Sequence, residues 1–530
     1  MKPTNTRNFL PLFFAIGIVL GLLIGSFYAS RFSGYRLNVI SSSSDKINDL
    51  LHVINDEYVD EVDISALVEK SLPSILRELD PHSTYIGKDE VAAAMQELNG
   101  SFSGVGIQFL IVRDTLNVTH VIPDGPAEGC GILAGDRIIA TDDSTLVGKD
   151  ITSDIAMKRL KGPDKSVVKL KIYRPRTNKT FDVKVTRGAV PLKSVDAVFM
   201  LDRETGYVRV KSFSENTYGE FLNALSRLQR SGFKKLVIDL RGNLGGYMQP
   251  AVQMANEFLP KGRLIVYTQG RTSSREDQKS DGRGAYQNMP LTVLVDETSA
   301  SASEIFAGAM QDNDRGVVVG RRTFGKGLVQ IPIEFRDGSM VRLTKSRYYT
   351  PSGRCLQKPY TPGDNEAYEN DFLVREKNGE LFSADSIKHD PKPYKTIGGR
   401  IVYGGGGIIP DEFVPIDTLG WTSYYKMAVM KGLVTRFAYD YADQNRETLV
   451  KKNDGLVKYL KSQKLPEKFG AYAEKEGLNR RPNLLRQSYD LFERAIISMV
   501  VTDIQGVEES VRYLALKDDD ILRALKRDKK

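Results

Sequence analysis

The chain has 530 residues, 41% hydrophobic and 27% charged, with a net charge of +8. It is too long for one ordinary core and too average for a fibre or a disordered chain, so about three or four folded units are expected, and the mild charge does not point to a nucleic-acid partner. Two cysteines, Cys130 and Cys355, exclude a disulfide framework and a four-thiolate metal site, and the four histidines (His52, His82, His120, His389) show no zinc-binding spacing.

The first element is an uncharged stretch of 23 residues, Asn8 to Ser30, long enough to cross about 30 Å of hydrocarbon as a helix. It exceeds a secretory h-region of about 7–15 residues, and cleavage after Ala29 would set Phe27 where a small residue is needed, so an uncleaved signal-anchor is expected over 1–35. Lys2 and Arg7 precede the stretch while Arg31, Arg36 and Lys46 follow it, so charge leaves its orientation open. Residues 36–99 read as helices, one of them ending at Asp80-Pro81 because proline disfavours helix in the residue before it.

From 100 to 188 short β-rich runs such as SGVGIQFLIV and DRIIATD surround one helix, AMKRLKG. Gly104-Val105-Gly106-Ile107 leads into a strand; its glycines let backbone N–H groups converge as a nest for an anion such as a peptide carboxylate. The strand after it is suited to pairing with an added peptide. With GPAEGCGILAGDRIIATD, this segment resembles a PDZ domain of the protease-associated bacterial kind over Ser101 to about Arg187. The resemblance implies that Gly104 to Ile107 bind the carboxylate of a chain tail and that Ile155 to Leu160 wall the groove.

Between 189 and 418 strands (GYVRVKSF, KKLVIDL, LTVLVD, GVVVG) alternate with helices, the signature of an α/β sheet with crossover helices. Residues 358–400, rich in Pro, Gly, Lys and Asp, read as an insertion or long loop, and 419–530 as helical and charged. The strand LTVLVD runs into Glu297-Thr298-Ser299-Ala300-Ser301-Ala302-Ser303-Glu304 and a helix, where a serine gains from the helix dipole; Ser301-Ala302-Ser303-Glu304 also reads as a capping box. No histidine lies near these serines in the α/β segment, so the base sought is a lysine held neutral by burial. Lys326, between Gly325 and Gly327, is that candidate; in an extended strand Gln330 faces the same way and can hold its amine. Gly320 and Gly325-Lys326 nearly spell a phosphate loop, but Gly327 replaces the Ser or Thr that holds magnesium, and a β run follows. The glycine-rich turn Asp239-Leu240-Arg241-Gly242-Asn243-Leu244-Gly245-Gly246 offers backbone N–H groups for an oxyanion.

Taken together, GVGI, GPAEGCGILAGD, DLRGNLGG, SASASE, TFGKGLVQ and YYTPSGR resemble the C-terminal processing peptidases, or tail-specific proteases, over residues 41–418. The resemblance implies a crotonase-like α/β core with an inserted PDZ domain. It implies Ser301 as nucleophile, 25 positions before Lys326 as general base, Gln330 orienting that base, and N–H groups of Ala302 and of Gly245 or Gly246 as oxyanion donors. No metal, nucleotide or other cofactor is then required, and the bulk of the chain is expected outside the cytoplasm, periplasmic or extracellular, anchored in the cytoplasmic membrane. Chain tails are the expected substrates; the helical end is left to rest on the PDZ domain, to self-associate or to bind an adaptor. Rival readings are a non-catalytic PDZ scaffold and an acyl-CoA enzyme on the same core.

Overall fold

The computed structural model describes residues 36–527, Asp143 excepted. The expected signal-anchor lies outside the described residues; among these, no helix is long and apolar enough to cross a membrane. The chain divides into two units, residues 1–76 and 77–530. In the first, the helix Arg36–Glu57 leaves Ile47, Leu50 and Val53 exposed. The helix Ile64–Arg77 stops three residues short of the expected Asp80, because the Asp80 carboxylate accepts the N–H groups of His82 and Ser83 and turns the chain there.

The helical reading of 36–99 is interrupted by a strand, Thr84–Ile86, which pairs with Met340–Tyr349 in a five-stranded sheet. Leu328–Glu334, just past Lys326, pairs with the same strand.

The main sheet has six strands in the order Val195–Met200, Thr205–Val210, Lys235–Asp239, Leu291–Val295, Val317–Gly320, Glu412–Phe413, all parallel after the first pair. Both faces are covered, which is why these strands read as near-continuous apolar runs. Val208, Ile238 and Val293 pack against the helices Thr217–Arg230, Met248–Asn256 and Ala302–Asp312. Tyr207, Val237 and Leu294 point the other way, onto Val511, Ala515, Ile521 and Ala524 from the end of the chain.

The β-rich domain is inserted between two short strands that pair at its neck, Ser101–Gly104 with Gly188–Pro191. Its sheet begins at an edge strand, Ile107–Val112, followed by Thr115–Val121, Arg137–Thr141, Val167–Arg174 and Lys179–Thr186. Residues 358–400, expected as an insertion or loop, carry the helices Asn365–Glu369 and Asp371–Lys377 and bury Tyr368, Arg375 and Glu380. The helices of 423–505 pack around their own core, with Phe469 in ring contact with both Phe437 and Phe492.

Candidate active site

The serine turn follows from its local sequence. Strand Leu291–Val295 is wholly buried, and the Asp296 carboxylate caps the turn by accepting the N–H groups of Thr298 and Ser299. Ser299 and Ser303 are buried, and their hydroxyls donate to the carbonyls of Leu240 (2.8 Å) and Asn243 (3.0 Å). They fasten the serine turn to the glycine-rich turn; Ser301 between them is half-buried. Its backbone sits at φ 55°, ψ −113°, left-handed and strained for a residue with a Cβ. A strained serine on a strand-to-helix turn is the geometry that lifts a nucleophile clear of its sheet. The capping-box arrangement is present. The N–H groups of Glu304 and Ile305 nevertheless reach the Ser301 backbone carbonyl at 2.9 and 3.0 Å, so the helix start does not depend on the hydroxyl.

Lys326 is joined to this turn through one buried carboxylate. Glu304 accepts the N–H of Ser301 (2.9 Å), the N–H of Lys326 (2.9 Å), the N–H of Gly325 (2.8 Å) and the Thr323 hydroxyl (2.5 Å). The buried Tyr348 hydroxyl donates to the carbonyls of both Ser301 and Lys326. The Lys326 ammonium is disfavoured by burial and by the Arg342 guanidinium, which together hold its pKa below the ordinary lysine value against the pull of Glu304 and Asp80.

The structure brings in a histidine that sequence reasoning set aside. His82 comes from the segment that turns at Asp80, and burial, with the Lys326 charge, lowers its pKa to about 4. Its Nε2 pairs with the Tyr368 hydroxyl at 2.9 Å. Gln357 donates to that hydroxyl from its amide and accepts the Gly327 N–H with its oxygen. Arg375 donates to the carbonyls of Arg322 and Thr323, just before the lysine. These residues were missed because they lie far from Lys326 in sequence and no local pattern marks them.

Gln330, expected to hold the Lys326 amine, donates instead to Thr344 Oγ1 at 3.2 Å; Thr344 in turn bonds Asp80. Among the described residues no hydrogen bond joins Gln330 to Lys326. Strand pairing explains this, since Gln330 lies opposite Thr344 in the ladder.

In the glycine-rich turn, Gly245 and Gly246 have φ of 102° and 139°. A Cβ at Gly245 would lie 2.7 Å from the Ser301 Cβ, and one at Gly246 2.2 Å from the Phe213 carbonyl. Side chains are therefore excluded where the turn meets the serine. The Gly245 N–H donates to Asn243 Oδ1 at 2.8 Å, which removes it as a free oxyanion donor. The N–H groups of Gly246 and Ala302 have no partner among the described residues.

In the inserted domain, Gly104 closes the neck strand, Val105 is buried, Gly106 has φ 80°, and Ile107 opens the edge strand. Val105, Ile107, Ala156 and Leu160 form one apolar cluster beside that open edge.

Comparison with known sequences first defines a class, a serine-type peptidase carrying a PDZ domain. Profiles match for peptidase family S41 over residues 204–366, for a PDZ domain over 103–185, and for a family of unknown function (DUF8443) over 424–506. A "Probable CtpA-like serine protease" of Staphylococcus aureus (strain N315) is 32% identical over 358 residues, 66% of this chain and 70% of that protein. Its namesake in Staphylococcus haemolyticus (strain JCSC1435) is 34% identical over 377 residues, 66% and 74% of the two chains. Among solved structures, the photosystem II D1 C-terminal processing protease shares 26% identity and covers 70% of this chain and 92% of its own, with a TM-score of 0.36. The chain belongs to peptidase family S41, with the CtpA-like serine proteases.

Proposed function

We propose that the protein is a C-terminal processing endopeptidase in which Ser301 is the nucleophile and Lys326 its general base. The observation that carries this reading is the strained Ser301 turn, bound through the single buried Glu304 to the loop of a desolvated lysine. A substrate tail adds a strand to the edge Ile107–Val112, its carboxylate meeting the Gly104–Ile107 loop, and the chain runs on to Ser301. Neutral Lys326 takes the hydroxyl proton as Oγ attacks the scissile carbonyl. The N–H groups of Ala302 and Gly246 receive the developing oxyanion. Lys326 returns the proton to the leaving amine, and water attacks the acyl-enzyme with Lys326 again as base. Gln330 acts at one remove, through Thr344 and Asp80 on the lysine side of the site.

The test is cleavage of a tail peptide by Ser301→Ala and Lys326→Ala, together with mapping of a serine-directed fluorophosphonate. Both variants are expected to be folded and inactive, with wild-type label on Ser301; label elsewhere or retained cleavage would sink the dyad. An unlabelled and non-cleaving wild type would favour the scaffold reading. The uncharged stretch Asn8 to Ser30 supports a membrane anchor, which carbonate extraction of cell membranes checks. The resemblance to the processing peptidases, not the stretch, favours a peptidase outside the cytoplasm, which protease digestion of intact cells checks.

A further inference from the structure

We propose that Asp518 and Asp520, at the start of the last helix, are positioning residues for the oxyanion turn, so that the helical end of the chain completes the active site. This rests on the serine peptidase reading above.

The turn hangs on Arg241. Its Nε and Nη2 hold Asp239 at 2.9 and 2.6 Å, at the end of the central strand. Its Nη1 reaches out of the catalytic core to Asp518 (2.9 Å to both carboxylate oxygens) and Asp520 (2.7 Å). One guanidinium thus serves three carboxylates, two of them supplied from almost 280 positions further along the chain. Asp520 also lies 3.8 Å from Arg321, whose Nε holds Glu297 in the serine turn at 2.7 Å. The last helix is fixed independently: Ile521 and Ala524 are buried against the face of the main sheet that carries Tyr207 and Val237. Its two aspartates are therefore a fixed anchor and not a flexible tail.

What the anchor sets is the path from Arg241 to the donors. After Arg241, Gly242 donates to Asp296, and Asn243 is wholly buried, its Nδ2 on the Val210 carbonyl at 2.8 Å and its Oδ1 accepting the Gly245 N–H. The Asn243 carbonyl accepts both the Ala300 N–H and the Ser303 hydroxyl at 3.0 Å. Arg241 is the first residue of this series, and a displacement of its side chain moves a turn whose Gly246 and Ala302 N–H groups must be placed within a few tenths of an ångström for the transition state. With Asp518 and Asp520 uncharged, Asp239 still holds Arg241, so the turn persists but loses its outer tether.

The experiment uses the full chain carrying Asp518→Asn and Asp520→Asn, singly and together. Active sites are counted by fluorophosphonate labelling of Ser301, and kcat and KM are measured per labelled site on a tail peptide across pH. The double variant is expected to lose kcat about tenfold or more, with KM within twofold of wild type and an unmoved pH limb, because the base is untouched. Per-site kcat within twofold of wild type, or a loss carried by KM alone, would overturn the proposal even if the melting temperature falls. Should the double variant not fold, Asp518→Asn, at the more exposed carboxylate, is read by the same criteria. Absence of label on wild-type Ser301 would count against the peptidase reading itself, a separate outcome.

Discussion

Ser301, Lys326 and Glu304 form a unit in which each side chain has a distinct physical task. Ser301 holds a backbone conformation that costs of order 1–3 kcal/mol, and the four donors converging on Glu304 help hold it there. A glutamine at 304 would turn an NH2 group toward those donors and leave at least one unsatisfied, at about 1–3 kcal/mol. Glu304→Gln is therefore expected to lower urea stability by that amount and kcat by about a hundredfold or more, measured on the same preparation. The lysine pKa is lowered mainly by burial, so the sign of the pH dependence follows: below its pKa Lys326 is a cation and cannot take a proton. Activity should rise tenfold per pH unit toward a plateau, with its midpoint below the ordinary lysine value of about 10.4, and Lys326→Arg should be inactive throughout because guanidinium stays charged. A rate profile with one limb near the ordinary histidine value of about 6.5 would point to another base. His82, neutral above about pH 4, contributes no such limb.

Whole elements carry the site because strands end where chemistry is needed. The serine turn and the glycine-rich turn follow adjacent parallel strands, Leu291–Val295 and Lys235–Asp239, and are bonded side by side through Ser299 and Ser303. Close approach demands glycine at 245 and 246, so Gly246→Ala should be destabilised by about 2–4 kcal/mol from backbone strain and the clash with Phe213, read by denaturant unfolding. The 358–400 segment acts as a brace. Arg375 and Glu380 form a buried pair, with Glu380 also taking Arg322. Removing the cation in Arg375→Ala leaves a buried carboxylate short of a partner and two carbonyls uncapped, an expected loss of about 3–5 kcal/mol in a urea titration. Composition suggested a loop there because Pro, Gly and Asp are frequent; the few buried charged residues that order it gave no periodic signal.

Across residues 77–530, the helical end touches both the PDZ domain and the peptidase core. Arg113 and Arg137 of the inserted domain pair with Asp440 and Asp443 of the helix Leu433–Lys451, and Arg137 also meets the Tyr439 hydroxyl. Reversing those carboxylates in Asp440→Lys/Asp443→Lys should release the inserted domain about its paired neck. Limited proteolysis at residues 187–193 should then accelerate, while cleavage of a short peptide lacking a tail stays near wild type; an unchanged proteolysis rate would mean that these pairs do not hold the domain.

The α/β class, the PDZ insertion, and Ser301 and Lys326 as candidate nucleophile and base are legible in the linear chain. Each of these is written in a contiguous run, where strand periodicity, glycine turns and motif spacing are local properties of the chain. It took the packed fold to show that Gly245 has spent its N–H on Asn243, that Gln330 serves Thr344, and that His82 pairs with Tyr368. That fold alone brought Asp518 and Asp520 to Arg241. Hydrogen bonds and ion pairs between residues far apart in sequence depend on where strands and helices pack in space, and no local pattern in a single chain records them.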